Sequence, residues 1–146
     1  MTAPLPRRFE ARLERFPELR DYVERYCGDA GMGRVTLGRL VLVLEELFIN
    51  SVQHGYSQVA DAADKPVWLT LASCADGIEA VYEDAAPAHD PFAKPAMPDY
   101  TGPVDSWQVG GVGVALVIKL GRNLSYERAQ GRNRIAFTVP LKDSGA

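Results

Sequence analysis

Three short segments carry residue types whose spacing suits chemistry. In Glu46-Leu47-Phe48-Ile49-Asn50 a carboxylate and an amide stand four residues apart. On a helix that spacing puts both on one face, with Gln53 and His54 near it a turn later. Such groups on an otherwise apolar helix cost free energy unless something satisfies them. A magnesium ion does so, because it prefers oxygen ligands, keeps its waters and can take a single amide oxygen. The carboxylate one turn away is then placed to take a proton from a water or hydroxyl as a general base. In Glu83-Asp84-Ala85-Ala86-Pro87 an acid ends a strand. It can accept a hydrogen bond from an exocyclic amine, and the small residue after it lets a flat ring approach the backbone. In Gly110-Gly111-Val112-Gly113 glycines open a helix and expose N–H groups at its positive end, which suits phosphate. Each segment also has an ordinary explanation: a solvated helix face, a turn acid and a plain loop.

The elements that must position these residues follow from periodicity. Residues 8–13 suit an edge strand. Pro17 sits in the first turn of a helix whose apolar positions are Leu19, Tyr22, Val23 and Tyr26. Thr36 is the expected N-cap of a second helix running to about Gly55. Its wide stripe of Leu37, Leu40, Val41, Leu44, Leu47, Phe48 and Val52 predicts burial on most sides. Val67, Leu69 and Leu71 alternate with Trp68, Thr70 and Ala72, a strand period. Ala75-Asp76-Gly77 turns it into a returning strand over Ile78–Glu83. Residues 85–109 have no period and hold five of the ten prolines, the marks of a functional lid or a disordered loop. A third helix follows to about Leu120, then strands at about 122–129 and 133–140 joined by Gln130-Gly131. This order predicts an α+β fold: a two-layer sandwich of a mostly antiparallel, mixed sheet with helices on one face.

Composition narrows the class. The 146 residues make one domain, expected to span the chain, and a chain of this size buries roughly 70% of its unfolded surface. Apolar residues are 47% and charged residues 24%, ordinary globular values. With 16 basic and 19 acidic residues the net charge is -3, which lacks the basic surplus of a nucleic-acid binder. Cys27 and Cys74 show no zinc-ligand spacing with each other or with the two histidines and read as reduced thiols. The N-terminus has no apolar signal region, and the longest apolar run, Leu40 to Leu44, is far short of a membrane span. A cytoplasmic protein without membrane contact is expected.

The order and spacing of the three segments together carry more than any one alone. An acid and an asparagine four apart on a helix, an Asp-x-small strand end, a proline-rich stretch and Gly-x-Gly at a helix start resemble the GHKL (Bergerat-fold) ATPases. The likeness is closest to the stand-alone anti-sigma-factor serine/threonine kinases of bacteria. It rests on Leu44 through Tyr56, Glu83 through Phe92 and Gly110 through Gly113, with Leu124 through Arg128 and Gly131 through Asn133 in support. It spans about residues 8 to 142.

The resemblance implies roles. Asn50 ligates magnesium, Glu46 is the general base, Asp84 holds the adenine amine, and Gly111 and Gly113 wrap the phosphates of ATP. Two positions depart from the pattern. Ala86 stands where a glycine is usual, which costs ~1 kcal/mol or more if that position needs φ > 0. Val112 replaces a basic residue, with Lys94 and Lys119 as candidate substitutes. Thr138 is a candidate for the adenine-side threonine, and His54 and His89 read as packing or lid residues. The implied function is an ATP- and magnesium-dependent protein serine kinase and anti-sigma factor. It phosphorylates an anti-anti-sigma (STAS-type) partner, with a sigma factor and a serine phosphatase in the same pathway and a homodimer open to it. The alternative is a non-catalytic module that binds nucleotide to shape a surface and sequester a partner. A split sensor kinase fits less well, since no helical hairpin with a phosphorylatable histidine precedes the motifs.

Overall fold

The computed structural model describes residues 4–92 and 109–141. Strand β1 covers Arg7–Glu10, and a 3-10 turn at Leu13–Arg15 leads into helix α1, Phe16–Asp29, with Pro17 in its first turn. Helix α2 covers Arg34–Asn50 and runs on into a single π turn, Ser51–Gly55. Strands β2, Pro66–Cys74, and β3, Gly77–Asp84, form the expected hairpin. Helix α3 covers Val109–Leu120, followed by β4, Arg122–Ala129, and β5, Arg132–Pro140. The sheet order is β1-β2-β3-β5-β4, and all four pairings are antiparallel.

The pleat separates two faces. Val67, Leu69, Leu71, Ile78, Ala80, Tyr82, Ile135, Phe137 and Val139 point inward and share one core with the buried residues of α1, α2 and α3. The three helices therefore cover a single face, as the α+β sandwich requires. The other face carries Glu79, Glu83, Glu127 and Arg134. There the Arg132 guanidinium lies 3.5 Å above the Trp68 ring and pairs with Glu83 at 3.7 Å. Gln130 and Gly131 both take positive φ, 54° and 75°, which gives the β4–β5 hairpin the two-residue turn that matches strand twist. A bulge interrupts β4 between Arg122 and Ser125, where Asn123 has φ 55°.

The start of α2 differs from expectation. Its N-cap is Gly33, and Thr36 lies inside the helix, buried. The Thr36 hydroxyl donates to the carbonyl of Leu141 at 2.9 Å, tying α2 to the end of β5. Burial at the sheet end has a use for that hydroxyl which capping does not supply. Among the described residues no helix is long and apolar enough to cross a membrane.

Candidate functional site

Alternation along β3 decides which of the adjacent acids faces the helices. Glu83 points to the open face, while Asp84 points inward, opposite Val67 on one side and Asn133 on the other. Asp84 is 9% exposed, and each of its neighbours donates. Its Oδ2 accepts from the Ser51 hydroxyl at 2.7 Å. Its Oδ1 accepts from the Asn133 amide at 2.9 Å and from the backbone N–H of Ala86 at 3.2 Å. An ionised carboxylate offers about four acceptor positions, so three are occupied and one, on Oδ2, is left.

Two tyrosines hold this arrangement from behind. Ser51 gives its only hydrogen to Asp84, so the Tyr82 hydroxyl donates to Ser51 Oγ at 2.7 Å, with the carbonyl of Leu47 at 3.2 Å as a second acceptor. Burial pushes the Tyr82 phenol well above its ordinary range, which keeps it a donor. The Tyr56 hydroxyl donates to the carbonyl of Pro66 at 2.6 Å and accepts from the N–H of Ala85 at 2.7 Å. Burial raises that phenol to about 12, against the opposing pull of the Ala85 N–H.

The π turn brings the helix motif to the strand end. The Tyr56 N–H reaches back to the carbonyl of Ser51 at 2.8 Å, a five-residue step. It leaves Gly55 facing Asp84 and Ala86. A Cβ on Gly55 would stand 3.0 Å from the Ala86 methyl, 3.7 Å from Asp84 Oδ2 and 3.8 Å from the Asn50 carbonyl. The backbone of Asn50, Oδ2 of Asp84 and the small residue Ala86 thus pack closely around Gly55. Ala86 is not at positive φ, since Asn123 and Gln130 are the only non-glycine residues there among those described. The cost attached to alanine at that position therefore does not arise.

Glu46 and Asn50 are half-buried, on one face of α2 as their spacing requires, and neither side chain has a hydrogen-bond or ion-pair partner among the described residues. No group of three or more His, Cys, Asp or Glu among the described residues could hold a metal. A magnesium ion here would draw on the Asn50 amide, on waters and on the oxygens of its ligand, which suits its reluctance to dehydrate. Gly111, Val112 and Gly113 lie in the first two turns of α3, which packs against α2.

Other sequence candidates fall elsewhere. Thr138 pairs with Glu79 and Arg122 on the face opposite the helices, so it cannot meet a ligand at Asp84. The inward position beside Asp84 belongs to Asn133. Lys119 is exposed in the last turn of α3. That puts it roughly 12 Å along the axis from Gly111, so it does not replace a basic residue at Val112. Lys94 and residues 93–108 of the proline-rich stretch lie outside the described residues. His54 is exposed, and His89 is held by its backbone N–H on Asn133 Oδ1 at 3.0 Å. Before that stretch, Asp90 Oδ1 accepts from the N–H of Phe92 at 2.8 Å across Pro91, and Phe92 packs against the core.

Sequence reasoning missed Ser51, Gly55, Tyr56, Tyr82 and Asn133 as parts of the site. Counting back by twos from the apolar Phe137 and Ile135 would have turned Asn133 inward. Ser51 follows Leu47 by four residues on the buried stripe of α2, a signal that was equally present. A family model, histidine kinase-like ATPase domain, matches residues 9–139. No curated protein matches the chain.

Proposed function

Because the chain belongs to the histidine kinase-like ATPase family, we propose that it is an ATP- and magnesium-dependent protein serine kinase. In this reading it acts as an anti-sigma factor on a STAS-type anti-anti-sigma partner. The observation that carries the nucleotide part is Asp84. It is a buried carboxylate whose hydrogen-bond neighbours among the described residues all donate, with one acceptor position left on Oδ2, the oxygen nearest Gly55. Such a position selects a ligand edge that donates, as the amine of adenine does, and rejects a carbonyl.

The kinase part rests on Glu46. It is half-buried, without a partner among the described residues, and one helical turn from Asn50. In the transfer, Glu46 takes the proton of a partner's serine hydroxyl, the serine oxygen bonds to the γ-phosphorus, and the bond to ADP breaks. Asn50 would hold magnesium through its amide oxygen, and the ion when bound neutralises phosphate charge. The N–H groups at the start of α3 would meet the phosphates, an interaction of backbone alone that does not need a basic side chain at position 112.

The test is single-turnover phosphorylation of STAS-type proteins with labelled ATP and magnesium, beside calorimetry of nucleotide binding with and without chelator. Phosphoserine on one partner, and magnesium-dependent ATP binding that Asn50→Ala weakens, are the expected results. Tight ATP binding with no transfer to any candidate would move the function to the sequestering module.

A further inference from the structure

We infer that Asn133 is the positioning residue that sets nucleobase selectivity at Asp84. This rests on Asp84 being the base acceptor proposed above. The two residues stand directly opposite each other in the β3–β5 register, and Asn133 is 7% exposed. Its amide orientation follows from its surroundings. A backbone N–H can only donate, and that of His89 points at Asn133 Oδ1 at 3.0 Å, as the Tyr126 hydroxyl does at 2.7 Å. The NH2 group must therefore face the other way, where three acceptors converge: Asp84 Oδ1 at 2.9 Å, the carbonyl of Pro87 at 3.0 Å and the carbonyl of Ala86 at 3.2 Å. A flipped amide would set its hydrogens against the His89 N–H and its oxygen against three acceptors.

The consequence lies on Asp84. With Oδ1 committed to Asn133 and the Ala86 N–H, the carboxylate cannot rotate about its χ2 axis without breaking those bonds. Oδ2 is then the only oxygen with capacity to spare, and it can only accept. The same side chain also ties down the backbone from Ala86 to His89, with Arg128 adding a bond to the Ala86 carbonyl at 2.7 Å. Recognition of a donor edge at Asp84 and the path of the chain leaving β3 thus depend on one amide.

The experiment measures ATP and GTP affinity for the wild type, Asn133→Ala and Asn133→Asp. Removing the amide should weaken ATP binding by roughly tenfold or more and lower the preference for ATP over GTP by a like factor. Asn133→Asp sets a second carboxyl against Asp84, and the pair should share a proton once the pH is low enough. ATP affinity should then be weak at about pH 8 and recover toward about pH 6, beyond any change in the wild type. A residue that only supported the fold would change ATP and GTP affinity together, leaving their ratio constant across the pH series. Unchanged ATP-over-GTP preference in Asn133→Ala overturns the inference, and so does Asn133→Asp without acid recovery. If Asn133→Ala does not fold, the ATP-over-GTP ratio across the pH series on Asn133→Asp decides alone. A wild type that binds no ATP overturns the base-acceptor reading and the inference with it. A wild type that binds beside variants that discriminate equally well overturns the inference alone.

Discussion

Ser51 gives its hydroxyl hydrogen to Oδ2 of Asp84 at 2.7 Å, and this bond fastens the end of α2 to the end of β3. Both residues are buried, so losing one partner exposes the other to a desolvation cost. Ser51→Ala leaves Asp84 Oδ2 short of a donor and the Tyr82 hydroxyl with the Leu47 carbonyl alone. A hydrogen bond to a charged group contributes about 1.5–3 kcal/mol, and urea unfolding should show a loss of that order. Nucleotide affinity should fall as well, because the carboxylate loses one of its restraints. A variant as stable as the wild type would mean that the bond is replaced by water.

Glu46→Gln should separate binding from chemistry. Glutamine keeps the shape and cannot take a proton near neutral pH. If Glu46 is the base, ATP binding survives and phosphoryl transfer falls by roughly two to four orders of magnitude. Glu45→Gln is the internal control, because position 45 points about 100° away around the helix. An active Glu46→Gln protein in single-turnover assays would remove the base assignment.

Gly55 and Ala86 should behave as a coupled pair. A methyl at position 55 would stand 3.0 Å from the methyl of Ala86, closer than carbon atoms normally approach, and 3.7 Å from Asp84 Oδ2. Gly55→Ala is expected to weaken nucleotide binding at least tenfold, about 1.4 kcal/mol, while far-UV circular dichroism stays that of the folded chain. Adding Ala86→Gly removes one of the two methyls and should restore part of the loss. A double-mutant cycle with no interaction energy would show that the two residues do not share this space.

The buried phenols predict alkaline sensitivity. The Tyr56 phenol ionises near 10.0 in the unfolded chain and is held up to about 12 in the fold, chiefly by burial. Its contribution to stability is therefore whole below the unfolded value and disappears as pH climbs through the folded one. Tyr82 is shifted in the same direction. The urea midpoint should fall steeply above about pH 10, and less steeply in Tyr56→Phe, whatever that variant's stability near neutrality. Parallel slopes in the two proteins would contradict this account.

Much of the fold was legible in the chain. The alternation of Val67, Leu69 and Leu71, the stripe from Leu40 to Phe48 and the turn at Gln130-Gly131 each specify one element through local period or turn chemistry, and each element formed where that pattern lies. The pairing of Glu46 with Asn50 was legible for the same reason, since four residues make about one helical turn. Thr36 was not, because a threonine near a helix start reads as a cap, and its partner, Leu141, is 105 residues away. Ser51, Tyr82 and Asn133 were hidden in the same way. Ser51 and Asn133 reach Asp84 across 33 and 49 positions and Tyr82 reaches Ser51 across 31, and an isolated serine or asparagine does not announce a distant carboxylate. The sequence by itself determined the elements, the face each one buries and the acids available for chemistry. Only the tertiary structure decided that Asp84 meets Ser51 and Asn133, because strand register and the π turn after Asn50 set those distances, and both depend on packing between segments far apart in the chain.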